Sequence, residues 1–205
     1  MQGFSPAADN NKSPILSILS NYLRDADRLF EIGSGSGQHA IYMAASVPTI
    51  RWQPSDCGSV LRLLTANIET YGTPNLSLPR EFDLASLSKS EKIEVDCVYA
   101  ANVMHIVSES LCENLIRWAG SALSQNGYLI LYGPFTYNGQ FTTRSNQDFD
   151  VWLKSRDPKS GVRSYEWVTE LAAAAKLNLI NDHVMPANNQ CLVYQRTQIQ
   201  RHESL

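Results

Sequence analysis

The sequence predicts an α/β protein with a mostly parallel sheet, and three observations predict it. Short apolar runs suited to buried strands alternate with segments of helical period along most of the 205 residues. The first run, 28–32, ends in three alternate glycines, Gly33, Gly35 and Gly37. Missing Cβ atoms there let backbone N–H groups approach a nucleotide-like ligand. The chain then closes on two apolar runs, 177–184 and 191–195, that read as a strand pair.

Each element has its own signal. Ser13-Pro14 predicts a helix start, a capping hydroxyl followed by proline at the first helical position. Ile15, Leu16, Ile18, Leu19, Tyr22 and Leu23 then share a helical face. A helix over 38–46 follows the glycine turn, and 50–53 is a short second strand ending in Pro54-Ser55-Asp56. Residues 60–70 are helical, with Val60, Leu63, Leu64 and Ile68 facing inward. The third strand, 76–83, is interrupted by Pro79 and reads as an edge or irregular strand. Strands at 95–101 and 127–132 enclose a helix over 111–123, and a further helix covers 165–176. The strands so read number seven.

Length and composition fit one globular domain over 1–205, at 43% apolar and 18% charged residues. The net charge of −3 gives no pull toward nucleic acid or an anionic membrane, and neither partner is expected. Lys154 to Arg163 is locally basic and reads as a solvated loop. Cys57, Cys97, Cys112 and Cys191 are scattered without a paired motif, so no metal site is written, and free thiols in a reducing compartment are expected. No apolar run approaches the ~20 residues of a membrane span. Residues 1–12 are polar and lack a signal core, so a cytoplasmic location is expected. The tail 196–205 is polar and expected to fray.

The spacing at the first turn separates two cofactor classes. A dinucleotide fingerprint would carry glycine at position 38, where this chain has Gln38. Instead Glu31 stands two residues before Gly33, an arrangement that resembles the first motif of S-adenosylmethionine-dependent methyltransferases, where the acidic residue meets the methionine end of the cofactor. Ligands of an open α/β sheet lie across the carboxyl ends of its strands. Asp56, nineteen residues after Gly37, is placed to accept ribose hydroxyls or else to cap the next helix. Asp83 could meet an adenine amino group or simply form a turn. Asn102 ends the fourth strand beside the cofactor region, and His105 after it could serve as a base or as a structural histidine.

Read together, these pieces resemble one family, the methyltransferases catalogued as domain of unknown function 938, whose animal members are called methyltransferase-like 26. The resemblance runs from Phe4-Ser5-Pro6-Ala7-Ala8 and Asn11-Lys12-Ser13-Pro14 through the glycine turn with His39. It continues with Trp52-Gln53-Pro54-Ser55-Asp56, Asn102-Val103-Met104-His105-Ile106, Tyr132-Gly133-Pro134-Phe135, Ser145-Asn146 with Phe149-Asp150, and Met185-Pro186-Ala187-Asn188-Asn189. It implies a doubly wound, Rossmann-like class I methyltransferase sheet with an antiparallel closing strand, and S-adenosylmethionine as cofactor. Where that family usually has arginine before Asn11-Lys12, this chain has Asn10. If that arginine holds the cofactor carboxylate or an anionic acceptor, Lys12 or another residue must substitute here; separately, the polarity of Asn11-Lys12 next to a capped helix points to a lid over the cofactor.

The activity implied is methyl transfer to a small-molecule acceptor by in-line displacement, with cofactor contacts at Asn11, Lys12, Glu31, Gly33, Gly35, Gly37, Asp56, Asp83 and Asn102. His105, Tyr132 and Asp150 are the candidates for base or positioner, and Asn146, Arg163, Asn188 and Asn189 for orienting the acceptor. Methylation of RNA or protein, and a non-catalytic cofactor-binding module docked on a protein partner, are the rival readings.

Overall fold

The computed structural model describes residues 1–24, 27–87 and 93–197. Its centre is a seven-stranded sheet. From edge to edge the strands are β3 (Arg80–Glu81), β2 (Arg51–Asp56), β1 (Arg28–Ile32), β4 (Val95–Ala101), β5 (Leu123–Gly133), β10 (Asn189–Arg196) and β9 (Leu177–Met185). β10 alone opposes the direction of the other strands, pairing antiparallel with both β5 and β9. The mostly parallel α/β sheet with an antiparallel closing strand is therefore observed.

Alternation along the strands splits the core between the two faces of the sheet. Leu29, Cys97, Tyr99, Ile130 and Val193 pack with α1 (Pro6–Leu19), α2 (Gln38–Ser46) and α3 (Val60–Tyr71). Phe30, Val98, Leu129, Leu131 and Leu192 pack with α4 (Glu109–Ala122) and α6 (Tyr165–Ala174). A small second sheet joins β6 (Phe135–Tyr137), β7 (Gln140–Phe141) and β8 (Arg163–Ser164), beside α5 (Arg144–Arg156).

Several boundaries differ from the expectation. The first helix begins at Pro6, not at Pro14, because Ser5-Pro6 offers the same cap signal and the Ser5 hydroxyl accepts the Ala8 N–H at 3.3 Å. Tertiary bonds hold those early turns, and Pro14 is tolerated inside the helix. The second strand continues through Pro54 to Asp56, in register with Glu31 and Ile32 of β1. The third strand shrinks to Arg80–Glu81 plus a bridge between Leu76 and Trp52, with Pro79 between them. Ser145 to Asp150 is helical, not loop, since Thr143 caps α5 by accepting the Asn146 N–H at 3.3 Å. The expected basic loop thus starts inside α5. The tail starts ordered, with Arg196 in β10 and the Thr197 N–H donating to the Lys176 carbonyl at 3.1 Å; residues 198–205 lie outside the described residues.

Candidate functional site

A cavity of about 800 Å³ crosses the carboxyl ends of β1, β4 and β5, the place where such sheets bind ligands. One end is the glycine turn. Gly33, Gly35 and Gly37 all have positive φ, at 72°, 57° and 83°. They serve different ends. A side chain at Gly33 would meet Val103 Cγ2 at 2.7 Å, whereas one at Gly35 would meet nothing within 4 Å. Gly33 is therefore required by packing, and Gly35 leaves bare backbone facing open space.

Strand β2 fixes this turn residue by residue. The Trp52 indole Nε1 donates to Glu31 Oε2 at 2.8 Å. The Ser55 hydroxyl donates to the Glu31 carbonyl at 2.6 Å, and Asp56 Oδ2 accepts the Gly35 N–H at 2.8 Å. Glu31 is fully buried, which drives its carboxyl up to about 7 against the lowering effect of the Trp52 and Ser34 hydrogen bonds; the Asp56 charge adds to the rise. A buried carboxyl tuned near neutrality at a cavity wall is a functional-site signature.

Behind it lies a buried polar chain. His39 Nε2 faces Asn11 Oδ1 at 2.7 Å and the Ala8 carbonyl at 3.2 Å, and the Tyr99 hydroxyl meets Nδ1 at 3.1 Å. A carbonyl only accepts, so Nε2 carries the proton and Tyr99 donates to Nδ1. Burial lowers His39 to about 4 and keeps it neutral. This chain ties α1 to α2 and β4, and makes Ser5, Ala8 and Asn11 part of the cavity wall.

The other end is built by the segment after β4, by α5 and by the turn before β10. Asn102 directly follows β4 in the left-handed region, φ 58°, with its N–H donating to the Tyr132 carbonyl at 2.8 Å. Tyr132 is buried, with Asn11 and Asn189 side chains within hydrogen-bonding reach of its hydroxyl, and burial raises its pKa. His105 lines the cavity as a buried ring, and Nδ1 has no partner. It lies against Gly133, where a Cβ would come within 3.3 Å of Nδ1. Burial, with the Arg163 charge second, lowers His105 to about 4. Phe149, Trp152 and Ile106 supply the apolar wall.

Residues 2–196 match the model of a family described as a protein of unknown function, DUF938. The chain belongs to the DUF938 family. Its fold is also that of solved methyltransferases at low identity. An O-methyltransferase family protein from Burkholderia thailandensis superposes at a TM-score of 0.81 and 15% identity, over 95% of this chain and 58% of that one. An O-methyltransferase family 2 protein from Planctomyces limnophilus, in complex with apigenin, gives 0.76 and 16%, over 93% and 60%. Human N-acetylserotonin methyltransferase, in complex with S-adenosylmethionine, gives 0.76 and 13%, over 94% and 53%. The DUF938 chain spans little more than half the length of these proteins.

Of the residues expected at the site, the DUF938 cavity gathers Asn11, Glu31, Gly33, Gly35, Asn102, His105, Tyr132, Asn146 and Asn189 in its wall. Gly37 caps α2, and Asp56 stands behind Gly35 with Oδ1 accepting the Cys57 N–H at 2.8 Å. Asp56 does not cap α3, whose N-cap is Ser59. Five further expected residues lie outside that wall. Lys12 does not line the cavity; it pairs with Asp9 and sits 4.9 Å over the Tyr42 ring. Asp83 is exposed and closes a turn on the Ala85 N–H at 2.8 Å. Asp150 is buried outside the cavity lining, accepting the Val162 N–H at 2.8 Å and pairing with Lys154 at 2.7 Å. Arg163 is buried against the Met104, Val107 and Lys159 carbonyls and the Glu109 carboxylate, so its guanidinium is committed to the fold. Asn188 adopts φ 59° in the turn before β10, and its amide donates to Ser145 Oγ at 3.1 Å.

His39, Phe149 and Trp152 were missed as wall residues. The i, i+3 spacing of Phe149 and Trp152 is the signal that shows them once α5 is seen as a helix. Among the described residues, no helix is long and apolar enough to cross a membrane.

Proposed function

We propose that this protein transfers a methyl group from S-adenosylmethionine to a small-molecule acceptor. The observation that carries the reading is Glu31, a buried carboxyl held by Trp52 beside a glycine turn whose Gly35 leaves open space in the cavity. The donor set fits the cofactor. Glu31 would take its ammonium group and the turn backbone its body, while Asp56 would take the ribose from behind Gly35 and Asn102 would border the sulfonium.

When bound, the cofactor supplies an activated methyl carbon; the acceptor lone pair forms the new bond as the carbon–sulfur bond breaks and its electron pair returns to sulfur. The chain's own part is to hold the two reactants in line and keep water out. Tyr132 positions, and neutral His105 borders the acceptor. The volume lies within the range of small-molecule sites, and Glu31 is the only Asp, Glu, Lys or Arg among the described lining residues, which favours a small acceptor over a nucleic acid. The fold shared with O-methyltransferases supports the same reading.

Calorimetric titration with S-adenosylmethionine, S-adenosylhomocysteine and the reduced nicotinamide cofactors tests it. Micromolar binding of the first two alone is expected. Binding of neither, or preference for a nicotinamide, would overturn the proposal.

A further inference from the structure

We propose that the acceptor is an uncharged aromatic compound whose hydroxyl donates a hydrogen bond, lying against Phe149 and Trp152; this rests on the methyl-transfer reading above. The wall comes first. The two rings are stacked, 5.7 Å between centroids and 16° between planes, and both line the cavity. The His105 ring meets Phe149 edge-on at 5.3 Å, and the Arg156 guanidinium sits 4.8 Å over the Trp152 ring. The result is an aromatic wall braced by His105 and Arg156. Trp152 is 49% exposed and Ile106 50% exposed, an apolar rim left bare where the cavity opens. A planar ring fills such a surface better than a flexible or saturated one.

The polar groups decide what that ring carries. Asn146 spends both amide hydrogens, on Thr142 Oγ1 at 2.9 Å and on the Asn188 carbonyl at 2.8 Å. Asn189 turns its amide nitrogen to the Pro186 and Ala187 carbonyls at 3.3 and 3.2 Å. Carbonyl partners can only accept, so neither amide can be turned over; the Asn146 oxygen stays available, while the Asn189 side chain is shared with the Tyr132 hydroxyl. Burial holds the neighbouring His105 neutral, Arg163 is consumed by backbone carbonyls, and Arg156, set over the Trp152 ring, is not among the described lining residues. An acceptor carrying a carboxylate or phosphate would meet an amide oxygen and, among the described lining residues, no Lys or Arg, and would lose its hydration without replacement. A phenolic O–H meets the acceptor it needs. On transfer the phenolic oxygen bonds the methyl carbon, the carbon–sulfur pair stays with sulfur, and the hydroxyl proton leaves to water.

The test uses three probes on the whole chain, with and without saturating S-adenosylhomocysteine: 2-naphthol, 2-naphthoate and cyclohexanol, by calorimetry at pH 7. With aromatic contacts of this kind contributing on the order of 1 kcal/mol, 2-naphthol should bind about fivefold more tightly than cyclohexanol, and more tightly than 2-naphthoate, whose charge finds no partner in the wall. Trp152→Ala should weaken 2-naphthol by about tenfold and leave S-adenosylhomocysteine affinity within about twofold. Trp152 is half exposed, so this variant folds. Equal or tighter binding of 2-naphthoate or cyclohexanol, or an unchanged 2-naphthol affinity in Trp152→Ala, would overturn the acceptor class while leaving methyl transfer standing. Failure of S-adenosylhomocysteine itself to bind would remove both.

Discussion

Trp52 Nε1 and Glu31 Oε2 lie 2.8 Å apart, an indole donor holding a buried carboxyl in the cavity wall. Glu31 is raised to about 7 by burial first, so it takes up a proton on folding. The sign follows from linkage. Its contribution is fully present below the ordinary carboxylate range near pH 4.5 and is lost as pH rises through about 7. Relative to Glu31→Gln, the wild type should therefore lose roughly 3 kcal/mol between pH 5 and pH 8. Denaturant titrations of both proteins at the two pH values measure it. A pH-independent difference would show that Glu31 is ionised throughout.

Gly33 and Gly35 should fail in opposite ways. Gly33→Ala drives a Cβ to 2.7 Å from Val103 at positive φ, so the melting temperature should fall by several degrees. Gly35→Val adds only local strain of about 1 to 2 kcal/mol, because the space around it is open. The same open space is where the proposed cofactor lies, so cofactor affinity should drop at least tenfold with the fold intact. Thermal melts and calorimetry on the two variants separate packing from binding.

The sheet was legible because its signals are local: apolar runs, helical spacing and a glycine turn. Glu31 was legible for the same reason, two residues from Gly33. What failed was long-range use. Nothing beside Arg163 in the sequence announces that three carbonyls from two other segments, at Met104, Val107 and Lys159, will consume its guanidinium. Asp150 is a different case: its i, i+4 pair with Lys154 shows only once 144–156 is seen as a helix, and the Val162 N–H comes from the turn beyond it. The start of α1 was missed because two Ser-Pro caps compete, and the winner is set by contacts from Gln38 and His39, far along the chain.

Arg163→Met should act on stability. It strips the Met104, Val107 and Lys159 carbonyls of their donor and leaves the buried site unpaired, a loss of roughly 3 kcal/mol. Cofactor affinity per folded molecule should change less than about twofold, since Arg163 does not line the cavity. Urea denaturation with calorimetry at low temperature checks both halves. A large loss of acceptor affinity in a protein of unchanged stability would return Arg163 to the acceptor site.

His105 yields the sharpest pH prediction. An exposed histidine acting as base would give a rate that rises through pH 6.5. Here burial, with the Arg163 charge second, lowers the ring to about 4, so it is already neutral throughout the range where the protein is assayed. Once acceptor turnover is measured, kcat/KM should show no inflection from His105 between pH 5.5 and 8, even if the ring accepts the acceptor's proton. The ring's stability contribution has the opposite profile to that of Glu31: present above pH 6.5 and lost as pH falls toward 4. His105→Gln keeps a polar side chain and the cavity wall while removing the imidazole. A kcat at least tenfold lower with cofactor affinity unchanged would give the ring a chemical role. An unchanged kcat would leave it as wall, its sealed Nδ1 against Gly133 marking a packing histidine. An inflection near pH 6.5 that disappears in the variant would contradict the buried, neutral ring on which both outcomes depend.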